Sequence, residues 1–300
     1  MPLVDHLVVV GVGLIGGSLA RVLREKGAVC RVTGVGRGVG NLERAVQLGV
    51  IDCYVTDPAD AVVDADLVFL ATPVCSIVPI LARIAPFLKR GAVVTDGGSV
   101  KEEIVREGER VTPAGCHFIG GHPIAGTEHS GVEASFSTLF CGRRCILTPT
   151  PRTDPDAFQL VSRIWEIAGS EVVCMEPATH DRVVAAISHL PHMAAYALVN
   201  AVGSMDTGGE NVLRYSAGGF RDFTRIASSD PEMWRDIALQ NRDAILGMMD
   251  MFTSRFLELR TLIERGDREG MEAFFRLSKG MRDTLVLTAP SSCLTHSEGS

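Results

Sequence analysis

The sequence predicts an α/β chain in two parts, a doubly wound parallel sheet over residues 1–176 and an all-helical domain over 177–287. Three observations carry this reading. Short β-branched runs alternate with amphipathic segments as far as Met175, the spacing of strand–helix–strand units. A glycine fingerprint, Gly11-Val-Gly-Leu-Ile-Gly-Gly-Ser18, closes the first run and opens a helix. Beyond Pro177 strand signals almost vanish, and apolar residues recur at intervals of three and four.

Residues 7–13 read Leu-Val-Val-Val-Gly-Val-Gly, apolar throughout, as a strand buried on both faces should be. The next segment, 18–26, carries Leu19, Val22 and Leu23 on one face and stops at Gly27, a helix with a glycine cap. A strand over 30–35 and a helix over 41–48 follow. Further strands are expected over 67–72, 92–96 and 117–120, with helices over 76–88 and 99–109 between them. A strand (144–148), a helix (155–168) and a strand (171–175) complete the first domain. In the second, 179–205 reads as a long helix kinked at Pro191, whose nitrogen carries no hydrogen. Asp230-Pro231-Glu232 opens another with an N-cap aspartate and a proline at the first helical position. Ile245, Met248, Phe252, Phe256, Leu259 and Ile263 then form one continuous helical face, and a last helix is expected over 267–287. These faces are too numerous for one thin layer, which predicts a dimerisation domain whose helices are shared with a second subunit. Residues 288–300, rich in Ser and Thr, are expected to be a disordered tail.

The bulk properties exclude several classes. A net charge of −7 offers no electrostatic footprint for nucleic acid. No uninterrupted apolar stretch is long enough to span a membrane. The start, Met-Pro-Leu-Val-Asp-His, has no basic region and no cleavage site, which argues against secretion. The eight cysteines are scattered without a CxxC, fitting a reducing cytoplasm.

The fingerprint has the strand–turn–helix context that makes it a Rossmann-type dinucleotide site. Gly11 permits the tight turn, Gly13 lets the backbone approach a pyrophosphate, and Gly16 lets helix and sheet pack closely. Leu14 and Ile15 belong to the same loop, whose helix N-terminus offers N–H groups to phosphate. Sites that prefer NAD place a carboxylate at the end of the second strand. Here Gly34-Val-Gly-Arg-Gly-Val-Gly40 has none, and Arg37 can pair with a 2′-phosphate. NADP is therefore favoured, with NAD as the alternative.

Ser99, in Asp96-Gly-Gly-Ser-Val-Lys101, falls at the C-terminal end of an expected strand, where ligands of open α/β sheets bind. His122 follows the next strand, in Gly120-Gly-His-Pro-Ile-Ala-Gly-Thr-Glu128, and so lines the same crevice. A histidine that titrates near neutrality suits taking a proton from a hydroxyl as hydride leaves its carbon. With these motifs come Ser188-His-Leu-Pro-His192, Gly219-Phe-Arg-Asp-Phe-Thr-Arg-Ile-Ala227 and Ser229-Asp-Pro-Glu-Met-Trp234. Together, over residues 8–285, they resemble the prephenate/arogenate (cyclohexadienyl) dehydrogenases of tyrosine biosynthesis.

The resemblance implies a cyclohexadienol substrate with a ring carboxylate and a para hydroxyl. Hydride leaves the hydroxyl-bearing carbon for the nicotinamide, the carboxylate departs as carbon dioxide, and the ring becomes aromatic. It implies His122 as the catalytic histidine that draws off the hydroxyl proton, and Ser99 as the group holding His122 or the hydroxyl. Arg225 would grip a substrate carboxylate through paired hydrogen bonds. His189 and His192 bracket Pro191 and are expected near the substrate; no third ligand accompanies them, so no metal is expected. Glu128 would face the substrate side chain, where a carboxylate repels a keto acid or attracts the amino group of arogenate. Trp234 either closes the pocket or packs in the core, and Thr72 and Pro73 join the cofactor contacts. Prephenate is favoured as substrate, and arogenate stays open.

Many relatives carry an acid where Gly36 stands. The chain also lacks the N-terminal extension of forms fused to chorismate mutase, and no regulatory domain is read after residue 287, so tyrosine inhibition is expected at the active site itself. Two other readings fare worse. A β-hydroxyacid dehydrogenase or imine reductase would place a lysine in the first helix of the second domain, and 179–205 contains none. A non-catalytic nucleotide sensor has no need of Ser99, His122 and Arg225 together.

Overall fold

A computed structural model describes residues 2–127, 129–205 and 212–287. The expectations for Glu128 and for the 288–300 tail lie outside the described residues. The chain divides into two compact units, Met1–Arg242 and Asp243–Ser300.

The first unit begins β1 (Val4–Val10), α1 (Leu14–Glu25), β2 (Val29–Val35), α2 (Val39–Gln47), β3 (Cys53–Val55), α3 (Pro58–Ala61), β4 (Leu67–Leu70), α4 (Val74–Ile84), β5 (Val93–Asp96), α5 (Glu102–Val111) and β6 (His117–Ile119). These six strands form one sheet in the order β3-β2-β1-β4-β5-β6, every neighbouring pair parallel. Side chains on adjacent strand positions point to opposite faces. Leu7 and Val9 of β1, with Leu67 and Phe69 of β4, therefore enter one core with Leu19, Leu23 and Trp165. Val8, Val10, Val68 and Leu70 enter a second core with Ile77, Leu81, Ile104 and Phe118. Both faces are covered, which is why β1 from Leu7 to Val10 and the whole of β4 are apolar at every position.

The chain then leaves the parallel sheet. β7 (Gly121–Pro123), β8 (Arg144–Leu147), α6 (Pro155–Ile167) and β9 (Glu171–Cys174) follow. β7 pairs antiparallel with β8, and β8 parallel with β9, as a separate three-stranded sheet. The strands expected over 144–148 and 171–175 thus belong to a sheet of their own. Two glycines make the departure possible. A Cβ on Gly120 would sit 2.5 Å from Thr148 Oγ1 and Val105 Cγ2, and one on Gly121 would sit 2.9 Å from the Asp96 carbonyl oxygen.

Helices complete the unit: α7 (Pro177–Val184), a π turn (Ala185–His189), α8 (Leu190–Gly203), α9 (Gly218–Thr224) and α10 (Pro231–Gln240). The expected kink at Pro191 takes another form. The helix continues, and the wider π turn just before Pro191 accommodates the missing N–H and the bulk of the ring. By length and composition Pro177–Gly203 could cross a membrane, with a mean hydropathy of 1.2 in its most apolar window. The stretch nevertheless carries buried His180, Asp181 and His189, groups costly to place in lipid. At α10 the Asp230 carboxylate accepts from the Glu232 and Met233 N–H groups, as expected of an N-cap.

The second unit takes α11 (Arg242–Arg265) from its second residue onward and α12 (Arg268–Leu287), joined at Gly266, whose φ of +64° ends α11. The Gly266 N–H reaches the Ile263 carbonyl and the Asp267 N–H that of Leu262, closing the last turn. Phe252, Phe256, Ile263, Phe275, Leu277 and Met281 are exposed in the single chain.

Candidate active site

The glycines of the fingerprint divide their labour as expected. Gly11 has a φ of +97°, and a Cβ there would lie 2.4 Å from the Ala71 carbonyl oxygen; on Gly16 it would lie 2.2 Å from the Gly11 carbonyl oxygen. Both are required by packing. Gly13 meets nothing within 4 Å, so its bareness serves an approaching ligand rather than a neighbour. No side chain caps the first turn of α1, leaving its N–H groups available. Thr72 Oγ1 is buried without a hydrogen-bond partner beside this loop. Bare backbone, free donors and an orphaned hydroxyl fit a dinucleotide phosphate, which Gly13, Leu14, Ile15 and Thr72 would hold, with Pro73 at the start of α4.

Arg37 is exposed, and among the described residues nothing hydrogen-bonds to it. A Cβ on Gly36 would meet only ordinary contacts, 3.5 Å from Leu42 Cδ2, so packing does not demand glycine there. Asn41, on the next helix, donates to the Val12 carbonyl and accepts from the Val132 N–H. It ties the fingerprint to the segment that follows His122.

His122 lies on β7. Its Nδ1 is 2.8 Å from His180 Nε2, and His180 Nδ1 is 2.7 Å from Asp181 Oδ1. The Asp181 carboxylate also accepts from the Lys101 and Glu102 N–H groups at 2.8 and 2.9 Å, capping α5. This distant cap is why α5 starts at Glu102 instead of at residue 99. Beneath it the Lys101 ammonium pairs with Asp96, both side chains fully buried. Asp96 in turn accepts from the Gly98 and Gly121 N–H groups. Burial, then the proximity of His180, Lys101 and His189, holds the His122 imidazolium well below its ordinary range, so the ring is neutral at pH 7. Burial lowers His180 as well, against the opposing pull of Asp181.

Ser99 occupies the bend after β5, half-buried, and a Cβ on neighbouring Gly97 would lie 3.6 Å from Ile15 of the fingerprint. No hydrogen bond among the described residues joins Ser99 to His122, so the imidazole is held by His180, and of the two roles expected of Ser99 the one on the substrate hydroxyl remains.

His189 and His192 meet across Trp234. His192 stacks on the indole at 3.7 Å between centroids, and His189 meets it edge-on at 5.8 Å. Trp234 both packs in the second core and walls these histidines. Asn241 Nδ2 reaches the Asp181 carbonyl and His189 Nδ1, so His189 carries its hydrogen on Nε2, as a donor. Burial drives His189 down to about 4. His192 is lowered first by burial, and its second depressing influence is the Arg225 guanidinium, which places that exposed arginine within electrostatic reach. His180, Asp181 and Asn241 carry no motif. Each sits among other polar residues, His180 and Asp181 between Thr179 and Arg182 and Asn241 between Gln240 and Arg242, so nothing in the sequence distinguishes them.

The comparisons agree on a family. Residues 19–174 match the model described as prephenate dehydrogenase, nucleotide-binding domain, and residues 176–278 match prephenate dehydrogenase, dimerization domain. Prephenate dehydrogenase of Bacillus subtilis (strain 168) is 37% identical over 284 residues, which is 94% of this chain and 76% of that protein. The crystal structure of Aquifex aeolicus prephenate dehydrogenase in complex with hydroxyphenyl propionate and NAD+ matches with a TM-score of 0.89 at 39% identity, over 94% of this chain and 98% of that one. Synechocystis arogenate dehydrogenase matches with a TM-score of 0.80 at 34% identity, over 93% and 99%. A nucleotide fingerprint, a neutral histidine at the strand ends and matches along both halves lead to one conclusion: this chain belongs to the prephenate dehydrogenase family.

Proposed function

We propose that this chain catalyses the NAD(P)-dependent oxidative decarboxylation of prephenate to 4-hydroxyphenylpyruvate, in the cytoplasm, as a homodimer. The observation that carries the reading is His122, a neutral imidazole held by a hydrogen bond to His180 just past the C-terminal end of β6. When bound, the nicotinamide supplies a two-electron acceptor for hydride. His122 accepts the proton of the substrate hydroxyl, Ser99 orients that hydroxyl, and Arg225 receives a carboxylate, with the neutral His189 N–H as a further donor. Loss of carbon dioxide leaves its electron pair in the ring. The protein therefore supplies orientation and charge control.

NADP is the preferred cofactor in this reading. Its support is Arg37, which has no hydrogen-bond partner among the described residues, beside Gly36, where no packing excludes the acid that an NAD site would keep. Homodimer formation is supported by the dimerization-domain match and by the apolar side chains exposed on α11 and α12. We place the start of the substrate domain at residue 177. Arogenate is the second reading, favoured by the match along nearly the whole Synechocystis arogenate dehydrogenase chain. Tyrosine would compete at the same site. The test is reduced-nicotinamide absorbance with prephenate or arogenate and either cofactor. Turnover on prephenate with NADP is expected; turnover on arogenate alone moves the substrate, and silence on both refutes the dehydrogenase.

A further inference from the structure

We propose that His180 and Asp181 are positioning residues: Asp181 keeps the His180 hydrogen on Nδ1, His180 keeps the His122 hydrogen on Nδ1, and His122 Nε2 is left with the free electron pair. The inference rests on the dehydrogenase reading above and adds to it the origin of the base's tautomer.

The assignment follows from the hydrogen bonds in one direction. Asp181 accepts from two backbone N–H groups, and a carboxylate has no hydrogen to offer His180. The 2.7 Å contact is then an N–H donation from His180 Nδ1. A neutral His180 has only an acceptor left at Nε2, so the 2.8 Å contact is a donation from His122 Nδ1. A neutral His122 can accept only at Nε2. Capping α5 accounts for Asp181 but not for His180. That ring is fully buried, and both of its nitrogens are spent on Asp181 and His122. An apolar side chain would fill the same space without the cost of burying polar atoms.

The dyad also answers for charge. As the hydroxyl O–H bond breaks and a His122 Nε2–H bond forms, the resulting imidazolium donates from Nδ1 to His180, with the Asp181 carboxylate beyond it. After carbon dioxide leaves and the ring becomes aromatic, the proton returns from Nε2 to the phenolate oxygen, and the dyad ends as it began. Lys101 and Asp96 face this chain from the β5 loop and His189 from the π turn. The first two form a closed pair, which leaves Asp181 as the counter-charge.

The experiment measures kcat, KM and the pH profile of kcat/KM with prephenate and NADP for the parent chain, His180→Phe, His180→Gln and Asp181→Asn. NADP affinity and circular dichroism serve as folding controls. Asp181→Asn is expected to reverse the tautomers and lower kcat by about 100-fold or more, with KM within about threefold. His180→Phe removes both the acceptor of the His122 Nδ1–H and the neighbouring ring that helps hold the imidazolium down, so the acid limb shifts as kcat falls. His180→Gln restores an acceptor oxygen and recovers part of the rate. If Asp181→Asn fails to fold for want of the α5 cap, the two His180 variants decide. A kcat within about threefold of the parent overturns the proposal, as does a loss with an unmoved acid limb and no rescue by Gln. An inactive parent chain sinks the dehydrogenase reading and the dyad with it, whereas an active parent with indifferent variants sinks the dyad alone.

Discussion

Replacing Lys101 by Met isolates the energetics of the floor beneath the site. Lys101 and Asp96 are both fully buried, so the substitution leaves a carboxylate in the interior without its cation. The two backbone donors that remain, Gly98 at 2.8 Å and Gly121 at 3.1 Å, recover part of the loss. Removing one partner of a buried pair costs about 3–5 kcal/mol, and these donors put the expectation near the lower end. That is a large share of an ordinary stability of about 5–15 kcal/mol. With a urea slope of about 3 kcal/mol/M, the unfolding midpoint should fall by about 1 M. Asp96→Asn combined with Lys101→Met removes the stranded charge and should regain most of that shift. A single variant that loses less than about 1 kcal/mol, or a double variant no better than the single, would refute the reasoning.

Five further outcomes are expected. Gly13→Ala should leave the thermal midpoint of the cofactor-free protein within about 2 °C while weakening nucleotide binding, because its Cβ enters open space. Gly16→Ala, 2.2 Å from a carbonyl oxygen, should lower that midpoint by about 5 °C or more; equal melting of the two contradicts the division of roles. Arg37→Ala should raise the KM for NADP by about 10-fold or more and spare NAD, and equal losses undo the 2′-phosphate argument. Arg225→Gln should chiefly raise the KM for prephenate, so a normal value moves the carboxylate anchor elsewhere. His189, at about 4 when folded against 6.5 ordinarily, sets a pH dependence. The unfolded chain takes up that proton as pH falls through 6.5 while the folded site refuses it until about 4. The stability it contributes above pH 6.5 is thus lost between 6.5 and 4, by about 3 kcal/mol, and His189→Gln should make the fall measured by urea titration shallower, the remainder coming from His122 and His180, which burial also lowers.

Much of this was legible from local pattern. β1 and β4 announce themselves because both of their faces are buried, and α10 because Asp230 and Pro231 are neighbours in sequence. Where the cause is remote, the pattern is silent. The start of α5 is set by Asp181, 80 residues later, and no reading of residues 96–102 contains that information. β3 is three residues long, too short for alternation to register. The separation of the two sheets depends on what Gly120 and Gly121 would strike, which only the folded chain reveals. His122 was found through its loop. The groups that hold it were missed because His180 and Asp181 lie in a polar run, residues 179–182, that reads as a solvated helix start.

The π turn ahead of Pro191 has a consequence best put as phase. Each residue of an α-helix advances the chain by about 100° around its axis, which would leave His189 about 180° from His180. The wider turn takes up one residue and resets the count by about 100°, bringing His180, Asp181, His189 and His192 into roughly a third of the circumference. The register of the site is therefore written in the number of residues between its members. Within 185–188 the helix can exchange one side chain for another, but losing or gaining a single residue would swing the downstream histidines out of line with the upstream pair.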